Sequence, residues 1–278
     1  MHRSKIEWVL NPDNKTLGWV WNPLTGCLNH VNGMCKGGNF PCYAYRLATT
    51  RLRERYLANK ITAPQGFANR VLPRYDPFYP RFWPERLADP YAGKSALGKP
   101  KGVFVCDMSD LFGIGIPEDW TRQVLHYCKM SSQHRFYLLT KQPQNLVKFS
   151  PFPDNCWVGV TATDKPTLGR GLYVGLEKIE AAIKYISFEP LLGSTDLDGL
   201  DLLHCGIKWV IIGAQTKPTV YPKIEWVQEI VQAADKAGIP VFLKNNLKQG
   251  LITKMGSTPS WATEYVSEAG FVKLRQEL

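Results

Sequence analysis

A chain of 278 residues with 44% hydrophobic content can bury one large core or two smaller ones, which excludes a protein without a packed core. Its net charge of +10 is as compatible with a nucleic-acid partner as with ordinary solubility charge. Because no run approaches the length that spans a bilayer and the first residues lack an apolar signal region, we expect a cytoplasmic protein with no membrane partner. In a reducing compartment, the seven cysteines are expected to serve metals or packing rather than disulfides.

The most informative stretch is a glycine-rich loop at residues 26–42, which contains Cys27, Cys35 and Cys42 and is predicted to lead directly into a helix. Three thiolates from one loop can hold three irons of a cubane 4Fe–4S cluster and leave the fourth iron open. A structural zinc ion more often takes four protein ligands, for which only His30 is nearby. The third alternative is that the cysteines are unrelated. Their clustering favours a metal site.

Residues 61–100 form a predicted insertion that is rich in proline and aromatic residues, with the run RYDPFYPRFWPERL inside it. Proline at this density excludes a long helix or a central strand. Alternating aromatic and arginine side chains can stack on bases and meet phosphates. We favour the simpler interpretation that these aromatic side chains pack against the domain and cover its first helices.

Beyond residue 101, short apolar runs alternate with helical patterns, as in a parallel sheet built from βα units. Two amphipathic helices are predicted, at 117–131 and 222–237. With an earlier strand at 18–21, the predicted strands begin near residues 103, 136, 157, 185, 209 and 241. The fold class is therefore α/β, and a parallel (β/α) barrel of the TIM type, complete or partial, fits this order. We predict one barrel domain over 1–250 and a C-terminal extension over 251–278 packed on it.

Nearly every predicted strand changes from apolar to polar residues at its C-terminal end, which is where α/β proteins place their functional groups. Glu189 lies within the apolar stretch ISFEPLLG, where burying an unpaired carboxylate is costly. Lys141 and Lys244 end apolar runs in the same way, so that these groups either bind an amino-acid-like ligand or pair with each other. The candidate ligand-binding residues at the strand ends are Asp107, Ser109, Lys141, Thr161, Glu189, Gln215 and Lys244.

Several segments resemble one known family, and they occur in its order from Lys5 to about Asn246. The segments are SKIEW, WNPLTGC, CYAYRLA, CDMSDLFG, FYLLTKQP, WVGVTAT, ISFEPLLG, WVIIGAQ and VFLKN. They are similar to the phage-associated three-Cys-motif family of radical-SAM-like proteins. The cysteine loop and ISFEPLLG are the specific parts of this resemblance.

The resemblance implies a radical S-adenosylmethionine (SAM) barrel with an open-site 4Fe–4S cluster. Cys27, Cys35 and Cys42 would ligate iron, Tyr43 would lie near the cofactor, and Glu189 would face the SAM amino group. Family members usually have two residues between the second and third cysteines, whereas KGGNFP supplies six here. A longer loop can still deliver all three sulfurs, because the cluster constrains the sulfur positions and not the loop length.

Two functions of different classes follow from these patterns. The first is a radical SAM-type enzyme that cleaves SAM and abstracts hydrogen from an unidentified substrate, for which nucleic acid is a candidate class. The alternative is a non-catalytic nucleic-acid-binding protein with a structural zinc ion held by the three cysteines and His30. A hydrolase or deaminase ranks last, because the sequence has no His-x-x-x-His or His-x-Glu pattern.

Overall fold

The structure is a computed structural model, and it describes residues 1–65, 73–91, 98–256, 258–266 and 272–278. Its strands are β1 (His2–Arg3), β2 (Trp19–Trp21), β3 (Leu24–Thr25), β4 (His30–Val31), β5 (Met34–Cys35), β6 (Phe40–Pro41), β7 (Arg81–Phe82), β8 (Gly102–Val105), β9 (Arg135–Thr140), β10 (Cys156–Thr161), β11 (Ile183–Phe188), β12 (Ile207–Ile212), β13 (Val241–Leu243), β14 (Thr263–Val266) and β15 (Val272–Leu274). Its α-helices are α1 (Tyr43–Thr49), α2 (Arg53–Ala58), α3 (Glu118–Met130), α4 (Lys165–Gly169), α5 (Gly199–His204), α6 (Ile224–Lys236) and α7 (Lys248–Met255).

Eight strands belong to one large, mostly parallel sheet, in the order β1-β2-β8-β9-β10-β11-β12-β13. The seven apolar runs that predict strands all become members of this sheet, as β2 and β8 to β13. Their nearly continuous apolar character follows from their burial: all four residues of β8 are buried, as are the last four of β11. The predicted α/β class is confirmed, and the closure of the sheet into a barrel stays a prediction.

The two long helices confirm the amphipathic patterns. In α3 the buried stripe includes Val124 and Cys128, and in α6 it includes Val227 and Val231. Pro117 was expected in the first turn of its helix, but it lies at the N-cap, so α3 begins one residue later. Gly238 ends α6 as predicted, because its φ of +66° is a left-handed conformation that glycine adopts without steric cost.

The described chain groups into two compact units. Unit 1 comprises Met1–Val158 and Ile179–Ala182, and unit 2 comprises Gly159–Lys178 and Ile183–Leu278. A single domain over residues 1–250 therefore stays a prediction. No α-helix in the described ranges is both long enough and apolar enough to cross a membrane.

Unit 1 is built on β2, β8 and β9, which pair in parallel, with β1 antiparallel to β2. The predicted insertion at 61–100 belongs to this unit, although its residues 66–72 and 92–97 lie outside the described residues. Its described part contains only a two-residue strand, β7, and a short 3-10 turn at Pro84–Arg86, as the prolines require. Phe78 and Trp83 are buried in a cluster with Ala44 and Tyr56 of α1 and α2. The prediction that aromatic side chains of the insertion cover the first helices is confirmed for Phe78 and Trp83.

Unit 2 is built on β11, β12 and β13, which pair in parallel. The predicted C-terminal extension at 251–278 forms the end of α7 and the antiparallel pair β14 and β15; its residues 257 and 267–271 lie outside the described residues. Its last residues run along β13, because Leu243 N–H donates to the Arg275 carbonyl at 2.7 Å and Glu277 N–H donates to that of Val241 at 3.1 Å. The tail thus covers the outer edge of β13, which protects the backbone groups of an edge strand.

Candidate functional site

The first half of the cysteine loop is a tight β-hairpin. Strands β4 and β5 pair with His30 opposite Cys35 and Val31 opposite Met34, which leaves Asn32-Gly33 as a two-residue turn. Both turn residues have positive φ, 48° and 84°. Asn-Gly is the sequence most typical of this turn, since both positions need positive φ.

A second hairpin accounts for the six residues between Cys35 and Cys42. Strand β6 pairs with β5, with Cys35 opposite Phe40, and the chain between them turns through Lys36–Asn39. Cys42 N–H then donates to the Gly33 carbonyl at 2.8 Å. The additional residues therefore fold back on themselves, so that the third cysteine returns to the first hairpin.

The start of the loop is fixed to two other segments of unit 1. Gly26 N–H donates to the Met108 carbonyl at 2.8 Å, and Cys27 N–H donates to that of Phe78 at 2.9 Å. The Ser109 hydroxyl donates to the Gly26 carbonyl at 2.6 Å. Gly26 itself has φ +87°, and a Cβ placed there would lie 2.4 Å from the Tyr79 carbonyl oxygen. Only glycine fits this contact without displacing backbone.

The three thiols of the loop lie close enough to influence one another's ionisation. Burial raises the pKa of the Cys27 thiol, and the charges of Asp110, Cys35 and Cys42 raise it further. Burial also raises the pKa of Cys35, against which the Lys141 ammonium acts. Among the described residues, no group of three or more His, Cys, Asp or Glu side chains has the arrangement of a metal site. The three thiols thus influence one another electrostatically without forming a ready set of metal ligands among the described residues.

Two of the sulfurs also accept main-chain hydrogen bonds. Cys27 Sγ accepts from Asn29 N–H at 3.3 Å, and Cys42 Sγ accepts from Tyr45 N–H at 3.5 Å. In the second case Cys42 is the N-cap of α1, as predicted for a helix that begins after the third cysteine. Hydrogen bonds of this kind stabilise negative charge on sulfur, which suits a thiolate ligand.

Asp110 is the charged group that connects the ends of β8 and β9 beside this loop. Its carboxylate accepts from the Thr140 hydroxyl at 2.7 Å, from Lys141 N–H at 3.0 Å and from Phe112 N–H at 3.1 Å. Burial raises the pKa of Asp110, and these hydrogen bonds act in the opposite direction. Asp110 follows the end of β8 in the sequence, but this position does not by itself indicate that it organises the end of the neighbouring strand β9.

Lys141 lies against the second hairpin of the loop. Its ammonium group is 5.7 Å from the centre of the Phe40 ring, and a Cβ at Gly37 would lie 2.7 Å from Lys141 Cβ. Since Lys141 also acts on the ionisation of Cys35, the structure brings this predicted residue to the cysteine loop.

Asp107 and Tyr43 make a second link between the end of β8 and the loop. The Tyr43 hydroxyl donates to the main-chain carbonyl of Asp107, and the Asn22 side chain donates to the Asp107 carboxylate at 2.6 Å. Burial raises the pKa of Asp107. Asn22 also accepts from Met108 N–H at 3.2 Å, which is a positioning role that the sequence reasoning missed.

His30 holds the fold of the loop from within. Its Nδ1 accepts from Gly33 N–H at 3.3 Å, and its ring also hydrogen-bonds to the main chain of Cys27. The ring packs 4.9 Å from that of Tyr45 and 5.3 Å from that of Phe78. Burial lowers its pKa, so the neutral imidazole is favoured. The His30 imidazole is therefore bonded to the backbone of its own loop.

In unit 2, the predicted residues Glu189 and Lys244 form an ion pair. Glu189 Oε1 lies 2.5 Å from Lys244 Nζ, and Glu189 Oε2 accepts from the Ser187 hydroxyl at 2.9 Å. The pair crosses Gly213, where a Cβ would come within 2.9 Å of Lys244 Cδ. The costly unpaired carboxylate inferred from ISFEPLLG is thus avoided by direct pairing, which was the structural alternative.

The other polar residues at the strand ends of unit 2 lie in different local environments. The Thr161 hydroxyl is buried at the end of β10 and has no hydrogen-bond partner among the described residues. The Gln215 side chain donates to the Pro218 carbonyl at 3.0 Å and so closes its own turn. Asp164, which lies near the end of β10, is the N-cap of α4. Thr161 is therefore the one of these three whose side chain is not used in the local fold.

Comparison with known proteins gives one result. Residues 3–257 match the family described as "Protein of unknown function (DUF5131)". The chain belongs to this family. The matched range contains all three cysteines of the loop together with Glu189 and Lys244. No curated protein and no solved structure significantly matches the chain.

Proposed function

We propose that this protein is a radical SAM-type enzyme in which Cys27, Cys35 and Cys42 hold a 4Fe–4S cluster. The observation that carries the proposal is the double hairpin of the cysteine loop, which brings three thiols separated by seven and six residues into one neighbourhood. Cys27 and Cys42 both pack against the core of Phe78, Trp83 and Met108. An open-site cluster requires one protein sulfur on each of three irons and a fourth iron without a protein ligand.

The chemistry of the surrounding groups fits such a cluster. Main-chain N–H groups bond to two of the sulfurs, and the Lys141 ammonium acts against the burial that raises the pKa of Cys35. Both features stabilise thiolate charge, which a ligand must carry to bind iron. His30 is committed to the loop backbone, which supports its assignment as a folding residue rather than a fourth ligand.

When bound, the cluster would supply the electron that cleaves SAM, which leads to hydrogen abstraction from the substrate. Within unit 1, Tyr43 and Ser109 would hold the cysteine loop against the end of β8, and Asp110 would hold the end of β9. Asp107 and Lys141 would present polar groups to the cofactor. In unit 2, we propose that Glu189 binds the SAM amino group, with Thr161, Gln215 and Lys244 as further polar contacts.

We also propose that the parallel sheet is a partial barrel of the radical SAM type. In unit 1, the first parallel strand, β2, is flanked by antiparallel β1, and in unit 2 the tail runs along β13. Strand edges that are already paired with short segments do not need to pair with each other to satisfy their backbone groups.

The decisive experiment is anaerobic reconstitution of the full chain with iron and sulfide, followed by visible absorption and EPR spectroscopy with and without SAM. We expect a 4Fe–4S spectrum that changes when SAM is added. Alanine at Cys27, Cys35 or Cys42 should each abolish it. Alanine at Cys106, Cys128, Cys156 or Cys205, the matched controls, should leave it intact.

Zinc is the alternative that the same preparation tests. Stoichiometric zinc that is retained by the protein and lost in His30→Ala would contradict the cluster and favour a structural zinc site. Zinc that does not depend on His30, together with no absorption after reconstitution, would also overturn the radical SAM assignment.

A further inference from the structure

The positive charge of this protein is concentrated in one of its two units. Unit 1 contains 21 Lys and Arg against 12 Asp and Glu, a net charge of +9, whereas unit 2 contains 13 against 12, a net charge of +1. Together these give the 34, 24 and +10 of the whole chain. Solubility does not require such a division, and self-repulsion within a basic unit opposes folding. The concentration of charge therefore points to a function of unit 1.

Within unit 1, the exposed faces of α1 and α2 and the turn between them form a basic surface of Arg46, Arg51 and Arg55. All three side chains are exposed, and none of them forms an ion pair with any described residue. The only acidic residue between Tyr43 and Lys60 is Glu54, which pairs with Arg53 at 2.7 Å. Within the described ranges, the three arginine side chains form no hydrogen bond or ion pair, so their charge is available to a partner.

This basic surface is continuous along the chain with the cysteine loop. Helix α1 begins at Tyr43, directly after Cys42, and the exposed Lys36 lies in the second hairpin turn. The Tyr43 ring remains 49% exposed although its hydroxyl is bound to Asp107. Cations next to an exposed aromatic ring are the components with which proteins hold phosphates and stack bases.

The same helices are unsuited to a membrane surface. An interfacial helix needs an apolar face that is free to enter the lipid. In α1 and α2, the apolar residues Ala44, Ala48 and Tyr56 are already buried in the core cluster of unit 1. Apart from Tyr43 and Ala58, the exposed side chains of α1 and α2 are charged, which suits a charged partner better than lipid.

We propose that unit 1 binds nucleic acid through Arg46, Arg51 and Arg55, and that this surface delivers the strand to the cysteine loop. The shared chemistry is the phosphodiester backbone, which guanidinium groups neutralise with release of counterions. That the bound strand is also the substrate rests on the radical SAM function proposed above.

Fluorescence anisotropy tests the surface without any cluster, using the full chain as purified. The probes are labelled single-stranded DNA, single-stranded RNA and duplex DNA of one sequence, each titrated at several salt concentrations. We expect binding that weakens steeply with salt. The variant R46A/R51A/R55A should lose at least about tenfold in affinity, and the slope of log K against log salt should fall by about 2 to 3.

The matched control is R170A/K178A/K208A, which removes three exposed cations from unit 2 and changes the net charge equally. Its affinity should stay within about twofold of the parent. Equal losses in both variants would show a general charge effect and overturn the assigned surface. No binding of any probe, or binding only to phosphatidylserine vesicles, would overturn the proposal as well. Circular dichroism melts establish that both variants are folded.

The outcomes separate this proposal from the radical SAM function. If the chain binds nucleic acid but assembles no cluster, the proposed binding surface is supported. The bound strand would then have no role as a radical SAM substrate. If the reconstituted protein cleaves SAM but binds no probe, the radical SAM function is supported and nucleic-acid binding by unit 1 is contradicted.

Discussion

Polar residues follow the strands in both units, but they serve different purposes. In unit 1, Ser109, Asp107 and Asp110 are bonded to other segments, so that they hold the cysteine loop and the end of β9 in place. In unit 2, Glu189 and Lys244 are bonded to each other across Gly213. A change from apolar to polar residues at a strand end thus predicts that functional groups gather there. This pattern does not distinguish polar groups that hold a loop in place from polar groups that form an ion pair with each other.

The largest effect is expected where the loop of unit 1 is most confined. Gly26→Ala should destabilise the protein by about 3 kcal/mol, because its Cβ would meet backbone carbonyls and its φ is positive. Urea denaturation measures this change. Gly169→Ala is the control in unit 2, where nothing lies within 4 Å of an added Cβ, and it should stabilise by about 0.5 kcal/mol. A Gly26→Ala variant as stable as the parent would mean that the loop is not fixed at this point.

Removing Asp110 tests whether the end of β8 organises the end of β9. Asp110→Ala leaves three donors without their acceptor, one of them the buried hydroxyl of Thr140, and should cost about 2 kcal/mol. The reference is Asp154→Ala, an exposed aspartate, which should change the free energy of unfolding by less than about 0.5 kcal/mol. Equal stabilities of the two variants in urea would contradict the organising role.

In unit 2, Glu189→Gln separates the structural and ligand-binding interpretations of the ion pair. If the carboxylate binds the SAM amino group, calorimetry on the reconstituted protein should show SAM affinity weaker by about tenfold, with the cluster spectrum unchanged. Lys244→Met provides the comparison, because it breaks the same ion pair but retains the carboxylate. Unchanged SAM affinity in Glu189→Gln would leave Glu189 with a structural role only.

The smallest effect is expected for the hydroxyl that joins α1 to the end of β8. Tyr43→Phe removes one hydrogen bond at a half-exposed site and should cost about 0.5 kcal/mol. Tyr75→Phe, whose ring is 65% exposed, should have no measurable effect in the same denaturation experiment. If Tyr43→Phe and Tyr75→Phe are indistinguishable, the hydroxyl of Tyr43 does not stabilise the contact.

The strands of the sheet and its two long helices follow from local patterns in the sequence. Continuous apolar runs such as WVIIGAQ become buried parallel strands because burial on both faces excludes polar side chains over several residues. Helix α6 ends at Gly238 because helical periodicity and a left-handed glycine are local properties. The prolines of 61–100 excluded regular structure for the same local reason. The Asn32-Gly33 pair also predicts a hairpin from local sequence, which the description of residues 26–42 as a glycine-rich loop did not use.

Which polar groups come into contact depends on how the chain folds in three dimensions. The segment between Cys35 and Cys42 brings these cysteines together because β6 pairs with β5. The number of residues between the cysteines does not specify this cross-strand register. Asn22 and Asp110 act on residues that are distant in the sequence, so no local pattern marks them. Glu189 was recognisable as a costly carboxylate, but its pairing with Lys244 depends on β11 and β13 flanking β12, after which Gly213 leaves room between the two side chains. Hydrogen bonds and ion pairs act over a few ångströms of space, and the fold alone sets which residues come within that distance.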